Sequence, residues 1–146
     1  MPNGSRINVV VDTNIYFMAL YNPFGKAAKL LRAAIEERVG LFSPDIVKEE
    51  LTRVLKRKLE FSSQEMEDTI IHLPVAWISS DMYRDFMQAT IIIKHKPDRP
   101  LLATALVLGC GIITANRRHF LPARRLAKIW NIDELLKNIE QRKSVS

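Results

Sequence analysis

A short β-branched run that stops on a carboxylate, Val9-Val10-Val11-Asp12-Thr13-Asn14, constrains this chain more than any other stretch. Ile7 to Val11 is almost wholly apolar, the composition of a strand buried on both faces of a parallel sheet. Asp12 falls at the carboxyl end of that strand, the edge at which open α/β sheets bind their ligands. Thr13 and Asn14 add a hydroxyl and an amide that can orient the carboxylate or start a helix. Asp12 acting only as a helix cap is the plainer alternative.

The remaining segments continue an alternation of strands and helices. Met1 to Arg6 is polar and reads as loose. Asn14 to Leu20 predicts a short helix, broken at Asn22-Pro23 and Gly25. Lys26 to Arg38 has Ala27, Leu30, Leu31, Ala34 and Ile35 on one stripe, an amphipathic helix. Val39 to Phe42 reads as a second strand, and Ser43-Pro44 as an N-cap and first turn. The helix from Pro44 to about Leu59 buries Ile46, Val47, Leu51, Val54 and Leu55. Ser62-x-x-Glu65 is a capping box opening a helix to about His72. Val75 to Ser79 predicts a third strand. Asp81 to about Ile93 starts as a helix with Met82, Tyr83, Phe86 and Met87 as core, and its Ile91 to Ile93 end could equally be extended. Asp98 and Pro100 open the helix over Leu101 to Leu108, which Gly109 and Gly111 end. Ile112 to Thr114 is a fourth strand and Leu126 to Trp130 a last one. Asn131-x-x-Glu134 caps a final helix to about Ile139, followed by a charged tail that reads as frayed. The pattern predicts one domain over residues 1–146, a three-layer α/β/α sandwich with a mainly parallel sheet of four to five strands.

Bulk properties narrow the class of partner. Lys and Arg outnumber Asp and Glu by 22 to 16, a net +6 that favours polyanions. The single cysteine, Cys110, cannot form an intrachain disulfide and has no His or second Cys beside it, so a structural role in a reducing cytoplasm is expected. No apolar stretch approaches the ~20 residues of a membrane span, and no signal peptide is apparent.

Three acids share a structural logic. Asp12 ends the first strand. Glu50 lies three and four residues from Val47, Ile46 and Val54, so it projects along the apolar stripe of its helix, while Glu49 points about 100° away. A carboxylate facing a core is costly unless it is paired or binds a metal, and a buried pair with an arginine is the competing explanation. Asp98 begins the helix that feeds the fourth strand, and capping alone would account for it. That strand ends in Thr114 and Asn116 on the same carboxyl edge. Clustered carboxylates raise one another's pKa unless a cation lies between them. Oxygen donors without a Cys/His set select Mg²⁺ or Mn²⁺, ions suited to phosphodiester hydrolysis.

The order VVVDTN, SPDIVKEEL, KPDRPLLATAL, GIITANRRHF resembles the PIN-domain ribonucleases, including VapC-type toxins, over roughly Ile7 to Ile139. The resemblance implies a Mg²⁺- or Mn²⁺-dependent endoribonuclease in which Asp12, Glu50 and Asp98 bind the metal. Thr114 and Asn116 join them as catalytic residues that hold water or a scissile oxygen. Many members carry a further aspartate at the place of Asn116 or of His119, and neither is acidic here, which puts a second metal position in question. Thr13, Asn14, Lys96, Arg99, Arg117, Arg118 and His119 flank the acids as candidates for holding RNA. Partners implied are RNA, a cognate antitoxin and a second copy of the chain. A haloacid-dehalogenase-type phosphatase also starts on a strand ending in Asp, but it usually needs a second acid where Asn14 stands. A PIN-like module that binds RNA or protein without cutting is the alternative from another class.

Overall fold

A computed structural model describes residues 6–145, with side chains through residue 142. Five strands form one sheet in the order β3-β2-β1-β4-β5, every pairing parallel. They are β1 (Ile7–Val11), β2 (Val39–Pro44), β3 (Ala76–Ile78), β4 (Gly111–Ile113) and β5 (Ile129–Trp130). The helices are α1 (Thr13–Tyr21), α2 (Lys26–Ile35), α3 (Asp45–Lys58), α4 (Ser63–His72), α5 (Ser80–Tyr83), α6 (Arg99–Leu108), α7 (Arg117–Phe120) and α8 (Ile132–Val145). Among the described residues no helix is long and apolar enough to cross a membrane.

β1 occupies the centre, where a strand covered on both faces must be apolar. Val9, Val10 and Val11 are accordingly fully buried. The chain first steps outward from β1 to β2 and β3, then returns to place β4 on the other side of β1. Right-handed crossovers put α1 to α4 on one face and α6 on the other. The reversal opens a crevice between the carboxyl ends of β1 and β4, the position at which doubly wound sheets bind ligands. Asp12 and Thr114 stand at its two lips.

Several elements differ from their sequence reading, each for a local reason. α2 ends at Ile35 rather than Arg38: Glu37 adopts φ 62°, and the Glu37 and Arg38 N–H groups turn back to the Ala34 and Ala33 carbonyls at 3.0 and 2.9 Å. Ile35, placed on the apolar stripe, is exposed. Ser43 does not cap α3. It remains in β2, fully buried, where its hydroxyl donates to the Val11 carbonyl and meets the Tyr16 hydroxyl, both at 2.6 Å. The start of α3 is satisfied by Asp45, which accepts from the Ile46 N–H at 2.9 Å and from the Tyr83 hydroxyl at 2.8 Å. The predicted helix after Asp81 is one turn, α5, followed by a 3₁₀ segment over Arg84–Thr90. Tyr83 is buried there, but Met82 and Phe86 are exposed. Ile91 and Ile92 are exposed and not extended, while Ile93 joins the core.

The last strand is only two residues long, and α8 runs past Ile139 to Val145. Asn131 caps α8 by accepting from Asp133 N–H at 2.8 Å, while Glu134 pairs with Lys128 rather than closing the box. The Ser62–Glu65 capping box, in contrast, is complete in both directions. Residues 1–5 of the polar leader, and the side chains of residues 143–146 of the tail, lie outside the described residues.

Candidate functional site

Asp12 is delivered to the crevice because β1 ends on it and α1 begins immediately after. One carboxylate oxygen, Oδ1, accepts from the Thr13 N–H at 2.7 Å. The other, Oδ2, accepts from the Thr114 hydroxyl at 2.7 Å, a contact across 102 positions of sequence. Thr114 Oγ1 in turn accepts from the Asn116 N–H at 3.0 Å, and the Asp12 N–H donates to the Ile113 carbonyl at 3.1 Å. Backbone and side chain together therefore fasten Asp12 to the end of β4. The capping role is real, but it occupies one oxygen only.

Asp12 and Asp98 are both buried, at 6% and 7% exposure. Burial is the largest cause lifting the Asp12 pKa above its ordinary value, and the charges of Asp98 and Glu50 lift it further; the Thr114 hydroxyl and the Thr13 N–H pull it back. The other two predicted acids thus both act electrostatically on Asp12. Glu50, on α3, is half-buried, whereas the neighbouring Glu49 is exposed, as the helical geometry predicts. Glu49 instead adds its charge to the Asp45–Tyr83 contact.

Asp98 is the N-cap residue of α6, yet its side chain makes no capping bond. It turns across the crevice, where its Oδ2 lies 2.9 Å from His119 Nδ1 and 3.1 Å from His95 Nδ1. Capping therefore does not explain this acid. His95 was not singled out in the sequence, although its spacing of three from Asp98 on a polar hinge was a usable signal. The two rings sit 5.1 Å apart, centroid to centroid, tilted by 34°.

The residues expected to hold substrate, and Asn116 from the catalytic set, divide. Asn14, Lys96, Asn116, Arg118 and His119 are exposed around the crevice or on its flanking turns. Arg118 and His119 line, with Lys94, His95 and Pro122, a cavity of about 400 Å³. Thr13, in contrast, is buried at 1% exposure, and its hydroxyl has no hydrogen-bond partner among the described residues. Arg99 and Arg117 are partly committed to the fold, donating to the carbonyls of Ile93 at 2.8 Å and Ile129 at 3.2 Å. Cys110 is half-buried, and burial pushes its thiol up to about 11. That disfavours the thiolate a nucleophile or metal ligand requires.

The donor chemistry fits a hard divalent cation. Asp12, Glu50 and Asp98 offer carboxylate oxygens, and a cation would relieve both the cost of burying the Asp12 charge and the smaller repulsion from the other two.

Comparison with known proteins agrees with this frame. A family model described as "PIN domain" matches residues 10–139. A crystal structure of VapBC2 from Rickettsia felis, bound to a DNA fragment from their promoter, has the same fold. It superposes with a TM-score of 0.59 at 17% identity, covering 86% of this chain and 100% of the other. An uncharacterized protein of Methanocaldococcus jannaschii is 44% identical over 55 residues, 37% of this chain and 36% of its own length. The matched segment thus spans about a third of that relative.

Proposed function

The chain belongs to the PIN-domain family, and from that premise we propose that it is a Mg²⁺- or Mn²⁺-dependent endoribonuclease, the toxin of a toxin–antitoxin pair. One observation carries the reading. At the sheet's switch point stands a buried carboxylate whose pKa is raised first by its burial and then by the charges of two further carboxylates, from α3 and the start of α6.

Asp12, Asp98 and Glu50 would hold the cation. When bound, such an ion supplies positive charge against a phosphodiester and makes a nucleophilic water available near neutral pH. Thr114 keeps Asp12 oriented through a bond that also favours its ionised form. Glu50, the least buried of the three acids, would orient the attacking water and accept its proton. In-line attack would leave 5′-phosphate and 3′-hydroxyl ends. Asn116 would position water through its amide, while Arg118, Lys96 and Lys94 draw the RNA backbone toward an otherwise repulsive acidic edge. The net +6 of the chain acts in the same direction. The antitoxin partnership draws on the likeness in fold to VapBC2. A homodimer is proposed from the resemblance to PIN-domain proteins, and a reducing cytoplasm from the single cysteine.

The test is cleavage of end-labelled RNA by wild type, Asp12→Asn and Asp98→Asn with Mg²⁺, with Mn²⁺ and with chelator. Wild type should yield 5′-phosphate fragments only with metal, and each variant should lose about 10²–10³-fold or more in rate, as when one preorganised charge-stabilising group is removed. Cleavage by both variants at the parental rate refutes the metal assignment. The absence of an acid at Asn116 and at His119 favours a second reading, a non-catalytic RNA-binding module. RNA retained without metal and never cut would establish it.

A further inference from the structure

His95 and His119 converge on Asp98 from two separate turns, and neither belongs to the carboxylate set. We propose that His95, Asp98 and His119 form a second cation site, of two nitrogens and one oxygen, for a divalent transition-metal ion of the Zn²⁺ class.

The geometry is that of a three-ligand site. Asp98 Oδ2 lies 2.9 and 3.1 Å from the two Nδ1 atoms, and all three ligand atoms lie within 4.8 Å of one another. With metal–nitrogen and metal–oxygen bonds of about 2.0–2.2 Å, neighbouring ligands stand about 3–3.5 Å apart. Small ring movements bring the two imidazoles into that range. The backbone already fixes both approaches. The Asp98 N–H donates to the His95 carbonyl at 3.0 Å, closing the 3₁₀ turn that carries both residues, and the His119 N–H donates to the Asn116 carbonyl at 3.0 Å at the start of α7.

Donor type separates this site from the Asp12–Glu50 side of Asp98. Carboxylate and water suit Mg²⁺, whereas imidazole suits zinc, copper and nickel. Three protein ligands and an open fourth position are the arrangement of reactive rather than structural zinc sites. His95 and His119 both line the cavity that Lys94 and Arg118 also line, and those cations suit an anionic fourth ligand such as a phosphate oxygen. Asp98, with two oxygens, can serve both sides. The place where an acid is missing would then be a cation position with its donor changed from carboxylate to imidazole. The proposal shares Asp98 with the nuclease reading but does not require that RNA be cut.

The experiment uses full-length, tag-free protein, with Co²⁺ followed by visible absorption and Zn²⁺ by calorimetry. Wild type should develop a Co²⁺ d–d band that saturates at one ion per chain, persists in excess Mg²⁺ and is displaced by Zn²⁺. His95→Ala and His119→Ala should each weaken Zn²⁺ binding by more than ~100-fold, since loss of an outer partner alone costs 10–100-fold. Both side chains are substantially exposed, 54% and 42%, so circular dichroism and Tm should stay at wild-type values. The third histidine, His72, bonds its ring to the Asp68 carbonyl away from this site, and His72→Ala should bind like wild type. Asp12→Asn should keep the band. No Co²⁺ band in wild type, a band unaffected by removing His95 and His119, or one abolished by Asp12→Asn each overturns the proposal. Metal uptake without RNA cleavage would leave this site standing and remove the proposed activity alone.

Discussion

Replacing Thr114 by valine removes one hydroxyl and almost no volume from a buried position. That hydroxyl donates to Asp12 Oδ2 at 2.7 Å. When Asp12 is ionised the bond is charge-assisted and is worth about 1.5–3 kcal/mol, against about 0.5–1.5 for a neutral pair. Unfolding of a chain this size carries an entropy of about 0.3 kcal/mol/K, so each kcal/mol moves Tm by about 3 °C. Without divalent metal, Thr114→Val should therefore lower Tm by about 5–10 °C at pH 7–8 and by about 2–5 °C near pH 4.

The sign follows from linkage. Folding raises the Asp12 pKa, so its folded form holds a proton more tightly than its unfolded form. Its ionisation is thus a cost that is absent below the unfolded pKa of about 3.9 and complete above the folded one. Thr114 opposes that cost, and its removal should hurt most where Asp12 is charged. Thermal scans of wild type, Thr114→Val and Thr114→Ser in chelator across pH 4–8 decide the matter. The serine variant keeps the hydroxyl and should restore the wild-type pH slope. A valine penalty that is flat with pH, or larger at acid pH, would refute the assignment of this bond to the ionised carboxylate.

Further expectations rest on neighbouring groups. Asp12→Asn removes the buried charge, so in chelator its Tm should exceed wild type at pH 7–8 and converge with it below about pH 4. Mg²⁺ or Mn²⁺ at about 100 times its Kd should raise wild-type stability by about 2.7 kcal/mol, roughly 9 °C, and leave Asp12→Asn unchanged; an equal rise in both proteins removes Asp12 from the ion-binding set. Ser43→Ala leaves the Val11 carbonyl without its donor and the buried Tyr16 hydroxyl without its partner. The cost should be about 2–4 kcal/mol, a Tm loss of about 7–13 °C, and a loss under 2 °C would show that water replaces the serine.

Elements specified within a turn or a strand were legible in the sequence. The valine run forms a central strand because only an apolar strand survives burial on both faces, and Ser62 with Glu65 closes its capping box because the partners are three residues apart. Asp12 could be placed at the ligand-binding edge, and Glu50 inward of Glu49, from periodicity alone. What periodicity could not supply was the choice between a local partner and a distant one. Ser43 reads as a helix cap but serves Val11 and Tyr16, and Asp98 reads as a cap but turns to His119. Those choices are made by crossovers that lay β2 along one edge of β1 and return β4, with α7 after it, to the other. Partners 21, 32 or 102 positions apart leave no local trace, because their energy depends on a separation that exists only once the sheet has assembled.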